Sequence, residues 1–157
     1  MMDTAEAFAR ISKHLDASPV VMMDVAKAIE LEVEIVPLPE ELNSILRRHP
    51  GGYLLLINKH RTRDRQRWAI ARGVVLALLC GHAVRGDLRD SKDSTTSFGP
   101  VIDAMVSRIA MGIIMPEPLV RALWSGGDQD AHAISRLMEV SEKAARQRLE
   151  AIGLIRP

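Results

Sequence analysis

The side chains able to do chemistry are few and unevenly placed. Five histidines, His14, His49, His60, His82 and His132, lie far apart, and the single Cys80 excludes an internal disulfide and a cysteine-based zinc cluster. Only Cys80-Gly81-His82 offers a thiolate and an imidazole together, a pairing that could recruit a soft metal. The simpler reading makes Cys80 a small buried hydrophobe and His82 a cation near a helix C-terminus, so no metal ligand is assigned. Charge concentrates between Arg61 and Arg72, where Arg61, Arg63, Arg65, Arg67 and Arg72 face only Asp64, with Lys59 and His60 just before them. Such a run would serve as a patch for phosphate or for an acidic protein surface. In the tail, the stretch from Asp130 through Val140 and the stretch from Ser141 to Ile155 have the spacing of a helix-turn-helix. Ser141 would cap the second helix, from which Lys143, Arg146, Gln147 and Glu150 would project while Ala144, Leu149 and Ile152 pack. Lys143, Arg146 and Gln147 are the nucleic-acid candidates, since such side chains read phosphates and base edges. Short helix pairs also close many domains, and no basic domain or dimer signal accompanies this one, so DNA contact ranks second.

The elements that must position these residues follow from periodicity. Ala5, Phe8, Ile11 and Leu15 recur at helical spacing over residues 4–15. Ser18-Pro19 predicts a second helix, Ser as cap and Pro first, with Val21, Val25, Ala28 and Ile29 inward. Residues 32–36 alternate and read as a strand ended by Pro37 and Pro39. A second strand begins near Ile45, turns at His49-Pro50-Gly51-Gly52 and returns as Tyr53 to Ile57. A long helix then runs from about Thr62 to Cys80, stopped at Gly81, with Ile70, Val74, Ala77 and Leu78 on one stripe and Ala71, Val75 and Leu79 beside it. Residues 84–98 are polar and read as a surface loop. Pro100 opens a helix carrying Val101, Met105, Ile109 and Ile113, which ends at Met115-Pro116. Residues 117–154 divide into two or three short helices around Ser125-Gly126-Gly127, and no internal repeat is visible.

Composition narrows the class. At 157 residues the chain is long enough for one compact domain. Aromatics make up only 3%, so the core must come from aliphatic residues and the 8 Met. Lys+Arg 21 against Asp+Glu 20 leaves almost no net charge to announce a nucleic-acid partner. No apolar run spans a bilayer, and the opening residues lack a signal-peptide apolar region and carry acids early, so a cytoplasmic protein without a membrane partner is expected.

Ile57-Asn58, then Arg65-Gln66-Arg67-Trp68 opening the long helix, resembles the ImmA/IrrE family of zinc endopeptidases. In that family a strand ending in Asn and an Arg-Gln-Arg-aromatic run lead into H-E-x-x-H. This chain has Arg72, Gly73, Val74, Val75 and Leu76 at that place. The resemblance extends over most of the chain beyond about Ser18. The family's next helix, E-x-E-A-N-x-F-A-x-x-L-L-M-P, aligns on Met115-Pro116, putting Ile113-Ile114 on the paired aliphatics, Ala110 on the small residue and Ile109 on the Phe. Its Asn falls on Ser107, and its two Glu positions fall on Asp103 and Met105. A closing segment from Ala133-Ile134 to Leu154-Ile155 is similar too. Catalytic zinc needs three protein ligands and an open water position, with the Glu as base. Arg72 cannot give up its proton, Leu76 has no lone pair and Gly73 has no side chain, so only Asp103 of the four chemical positions keeps a carboxylate.

The resemblance therefore implies an α+β, zincin-like fold: a small twisted sheet of about three strands packed by helices. Residues 1–116 would form the core and residues 117–157 a helical C-terminal subdomain. It implies a degenerate, non-catalytic member, with no cofactor, that binds a helix-turn-helix repressor or regulator of a phage or mobile element. Alternatives are a DNA-binding regulator acting through the tail and a zinc endopeptidase with rearranged ligands. Asn58, Arg61, Arg72 and Asp103 are the binding candidates, as determinants of shape and charge, and an Arg72–Asp103 ion pair is expected to fill the former metal site. A partner would add along an edge strand near Gly52–Ile57. Because the relatives share the Arg-Gln-Arg run, Arg65 and Arg67 are expected to anchor the helix start to neighbouring loops.

Overall fold

The computed structural model describes residues 2–157. Helix α1 (Thr4–Ser12) is capped by Asp3, whose carboxylate accepts the Glu6 N–H, and buries Ala7 and Ile11. Helix α2 (Met22–Ala28) starts later than Ser18-Pro19 predicts. The Ser18 hydroxyl donates to the Leu137 carbonyl instead of capping a helix, and the Val20 carbonyl is taken by Arg67, so tertiary contacts hold this segment extended. The inward face is accordingly Met22, Val25 and Ala26, while Val21 is 47% exposed.

Four strands follow in the order β1-β3-β2-β4. They are β1 (Glu32–Val36), β2 (Leu42–His49), β3 (Gly52–Asn58) and β4 (Asp87–Ser91). β1 runs parallel to β3, and the other pairs are antiparallel. The β2–β3 turn closes through Gly52, whose φ of 137° lies where side chains are strained. Two expectations fail here. The sheet has four strands, not about three, because part of residues 84–98 is β4 and not loop. Leu88 and Asp90 point inward and Asp87 and Arg89 outward, a period-two pattern hidden by having an acid at a core position. Nor is Gly52–Ile57 an edge: from Leu54 onward β3 is paired on both sides, and only Gly52 and Tyr53 lack a partner on the β1 side, too short a stretch to take up an extended partner.

Helix α3 (Arg63–Cys80) packs against β2 and β3, α2 and α4, and is buried almost all round from Arg67 to Ala77. A helix apolar on every face belongs in the middle of a domain. A short 3-10 turn (Gly81–Ala83) leads to β4. Helix α4 (Pro100–Ile114) starts at the proline, as expected, and α5 (Glu117–Ser125), α6 (Ala131–Met138) and α7 (Glu142–Ala151) complete the chain. One continuous core joins Leu55, Val74 and Val106 to Ile134, Met138 and Leu149 of the closing helices. Each such side chain contributes about 1.5–3 kcal/mol on burial. Among the described residues, no helix is long and apolar enough to cross a membrane.

Candidate functional site

Arg72 lies midway along α3 with 0% of its surface exposed. An unpaired guanidinium there would cost several kcal/mol, so its donors must be met. The fork closes on Asp90 of β4, Nε donating to Oδ2 at 2.8 Å and Nη2 to Oδ1 at 3.1 Å. Nη1 donates to Ser107 Oγ at 2.7 Å and to the Asp103 carbonyl at 3.1 Å. The Asp103 carboxylate stands 3.6 Å from Nη2, but its hydrogen bonds come from the Thr96 N–H at 2.8 Å and hydroxyl at 2.7 Å. Arg72 is thus centred on Asp90, and Asp103 is the outer member of the cluster. Burial pushes the Asp90 carboxyl above its ordinary value, opposed by its bonds and attraction to Arg72 and reinforced by the nearby Asp103 charge.

The neighbouring positions are closed sterically. A Cβ on Gly73 would come 2.3 Å from Leu55 Cδ2, so the Leu55 side chain fills the space beside Gly73 and would have to shift for any larger residue. Leu76 is buried in the apolar core.

The family model for the IrrE N-terminal-like domain (Peptidase_M78) matches residues 26–150. That is most of the chain. The protein belongs to the IrrE N-terminal-like family. Comparison with curated proteins found no match. Among solved structures, a Mycobacterium tuberculosis transcriptional regulator superposes with a TM-score of 0.64 at 14% identity, covering 94% of this chain and 46% of that one. The chain therefore spans about half the length of that neighbour, which shares its fold.

The family's zinc does not fit the residues of this IrrE-like chain. By the resemblance, Arg72 and Leu76 fall at the two imidazole positions, and neither has a lone pair to give. The carboxylates of Asp90 and Asp103 are already engaged by Arg72 and Thr96. Among the described residues no three His, Cys, Asp or Glu side chains converge as a metal site. Cys80 is buried, which pushes its thiol up, away from the thiolate a soft metal takes; the Asp103 charge acts in the same direction.

The other sequence candidates separate. Asn58 is buried at the end of β3, where its amide donates to the Leu42 carbonyl at 2.8 Å and its carbonyl oxygen accepts the His60 N–H at 3.1 Å. Arg61 donates to Asn43 Oδ1 at 2.9 Å and to the Glu40 carbonyl. Both pin the loop before β2. With Asn58, Arg72 and Asp103 enclosed, those three shape the site from beneath and cannot touch a partner directly. Arg67 donates to the carbonyls of Val20, Met138 and Glu139, tying α3 to two distant segments, and desolvation lowers its pKa. The basic run is therefore dispersed by its helix: Arg67 and Arg72 point inward, Arg61 is spent on the loop before β2, and Arg65 remains exposed.

In the tail, Ser141 caps α7 by accepting the Ala144 N–H, and Leu149 is buried. Arg146 is exposed. Lys143 and Gln147 line a groove of about 440 Å³ that also touches Trp68 and Arg65 of α3 and Lys92 after β4. Asp90, Thr96 and the groove as a unit are not signalled by the sequence reading. No local signal marks Asp90, because the residue types of Asp87-Leu88-Arg89-Asp90 do not alternate as their burial does.

Proposed function

We propose that this IrrE-like chain is a catalytically inactive pseudo-protease that works as a protein-binding regulatory module, controlling a helix-turn-helix repressor of a phage or mobile element. The observation that carries this reading is the substitution of a buried Arg72–Asp90 fork, bonded on to Ser107 and flanked by Asp103, where the family's metal chemistry would stand. A fixed cation can organise two helices and a strand, but it cannot generate hydroxide from water as zinc does. A regulatory role accords with the family and with the structural neighbour, a transcriptional regulator. Residues 117–157 form a helical closure that packs on residues 1–116 and shares their core. Asn58, Arg61, Arg72 and Asp103 act by holding the recognition surface in shape.

The test is co-expression of the chain with helix-turn-helix regulators encoded in neighbouring reading frames. Recovery of an uncut complex supports the proposal. Cleavage of such a regulator by zinc-loaded protein overturns it, in favour of a peptidase with rearranged ligands.

DNA binding through the tail is the second reading, favoured by the three-residue turn between α6 and α7 and by the exposed Arg146. Against it, Lys143 and Gln147 line a groove together with Arg65 and Trp68 of α3, so α7 does not stand clear of the core as a separate recognition helix. Loss of promoter retardation on changing Arg146 and Gln147 together would support the DNA reading; no retardation by the unaltered chain retires it.

A further inference from the structure

The groove over Trp68 has a charge pattern that the chain as a whole does not. Its net charge is only +1, yet Arg65, Lys92 and Lys143 converge here from three separate elements. A second hollow of about 390 Å³ adjoins it, lined in common by Trp68, Met111 and Gln147 and adding Arg108. Among the described residues, none of these four cations forms an ion pair or a side-chain hydrogen bond within the chain. The one acid on the lining is Asp64, and its Oδ1 already accepts the Thr62 hydroxyl.

The floor is apolar and its central ring is fixed. Met111 and Ile114 of α4 meet Val140 and Ala144 of the tail beside Trp68. The indole N–H of Trp68 donates to Ser94 Oγ at 3.0 Å, which holds the ring in place. An apolar floor with a rim of unmatched cations suits a ligand having carboxylates around an apolar side chain. Two lobes along one wall suit an extended chain more than a single small anion. Duplex DNA would present a convex, uniformly charged surface that leaves the apolar floor uncovered.

We propose that this groove is the receptor for an acidic peptide segment of a partner protein, with an apolar side chain against Trp68 and carboxylates against Arg65, Lys92, Lys143 and Arg108. The assignment rests on the reading of the chain as a protein-binding module and gives that partner a chemistry. It also accounts for the tail residues: Lys143 and Gln147 serve protein recognition.

The test is titration with a capped hexapeptide of alternating glutamate and leucine, alongside a lysine–leucine counterpart and an oligothymidylate. Indole fluorescence in a Trp124→Phe background reports on Trp68, and the Trp68 indole N–H resonance reports the same event in the unaltered chain. The acidic peptide is expected to give a saturable response that weakens with salt. Arg65→Glu with Lys143→Glu should weaken it at least tenfold, while Arg156→Glu, outside the groove, should leave it unchanged. No response at millimolar peptide, an equal response to the lysine peptide, or tighter binding of oligothymidylate overturns the assignment. Capture of the regulator separates the two claims. A double variant that still holds its partner removes the groove assignment alone. Failure of the unaltered chain to hold any regulator removes the regulatory reading, and the peptide titration still judges the groove.

Discussion

Strand β4 carries two aspartates, and each is gripped by an arginine in the same way. At its outer end Arg47 reaches Asp87 with contacts of 2.8 and 3.0 Å; at its inner end Arg72 reaches Asp90 with contacts of 2.8 and 3.1 Å. The distances are nearly identical and the consequences are opposite. Arg47 and Asp87 are cross-strand neighbours on strands already joined by backbone hydrogen bonds, and both face water. Arg72 and Asp90 are enclosed, and their fork, with Ser107, connects the sheet to α3 and α4. Geometry alone does not rank an ion pair. What ranks it is what each charge would meet if its partner left.

The strongest way to break the comparison is to remove one arginine from each fork. Arg72→Met should lower unfolding stability by roughly 3–5 kcal/mol, because Asp90 would keep its burial and lose its counter-charge. Arg47→Ala should lower the urea midpoint only slightly. Adding Asp90→Leu to Arg72→Met should restore most of the loss, since a pair of apolar groups needs no compensation. If Arg72→Met proved as mild as Arg47→Ala, the burial argument would fail.

The surroundings of the buried fork offer the next test. One residue beyond Arg72, Gly73 allows α3 to lie against Leu55, and nothing comparable constrains Arg47. Gly73→Ala should cost about 1–3 kcal/mol by overpacking, read as a shift in the urea midpoint at constant slope. Leu55→Val in the same chain should recover part of that. The same contact leaves no room for a longer side chain such as glutamate at position 73 unless Leu55 moves.

These two tests also mark where the sequence was legible. Helix α3, the hairpin and the start of α4 at Pro100 follow from periodicity and turn residues. The family frame at Asn58 and Arg65-Gln66-Arg67-Trp68 implies the α+β fold, and the family match bears it out. Strand β4 was not legible, because its inward Asp90 breaks the alternation that identifies a half-buried strand. Arg72 alone would have had to announce it: a buried arginine needs acceptors, which carbonyls supply at Arg67, and its sequence does not say which of twenty acidic residues supplies them at Arg72. The family pattern points to Asp103, which it places opposite Arg72. Asp103 does lie in the cluster, yet the bonded partner comes from a segment whose composition is that of a loop. Long-range charge compensation leaves no local periodicity to read.

Asp103 supplies an intermediate case. Its carboxylate accepts two hydrogen bonds from Thr96 and only approaches Arg72. Asp103→Asn keeps the shape, leaves one neutral acceptor for the Thr96 N–H and turns the other oxygen into an amide donor facing the Thr96 hydroxyl, so a loss of about 1–2 kcal/mol is expected, between the two forks. A loss as large as that for Arg72→Met would make Asp103, not Asp90, the principal counter-ion.

The smallest effect distinguishes the forks by pH. The bond from Arg47 holds the Asp87 carboxyl below its ordinary value, against the opposing effect of burial and with the help of the Arg47 and Arg89 charges. The folded state therefore binds fewer protons there than the unfolded chain does. Asp87's contribution is complete above the ordinary carboxylate value of about 3.9 and is lost as pH falls through its depressed folded value. Asp90 has the reverse sign: burial raises its value, so its ionisation weighs against folding as pH rises above the ordinary value. Asp87→Asn should thus lie slightly below the unaltered chain near neutrality, and the two should converge as pH falls below about 4. Salt should shrink the neutral-pH difference as well, because an exposed pair is screened. A difference that persisted in acid, or that salt left unchanged, would mean Asp87 acts through packing, and the contrast between an exposed and an enclosed charge would have to be drawn elsewhere on the strand.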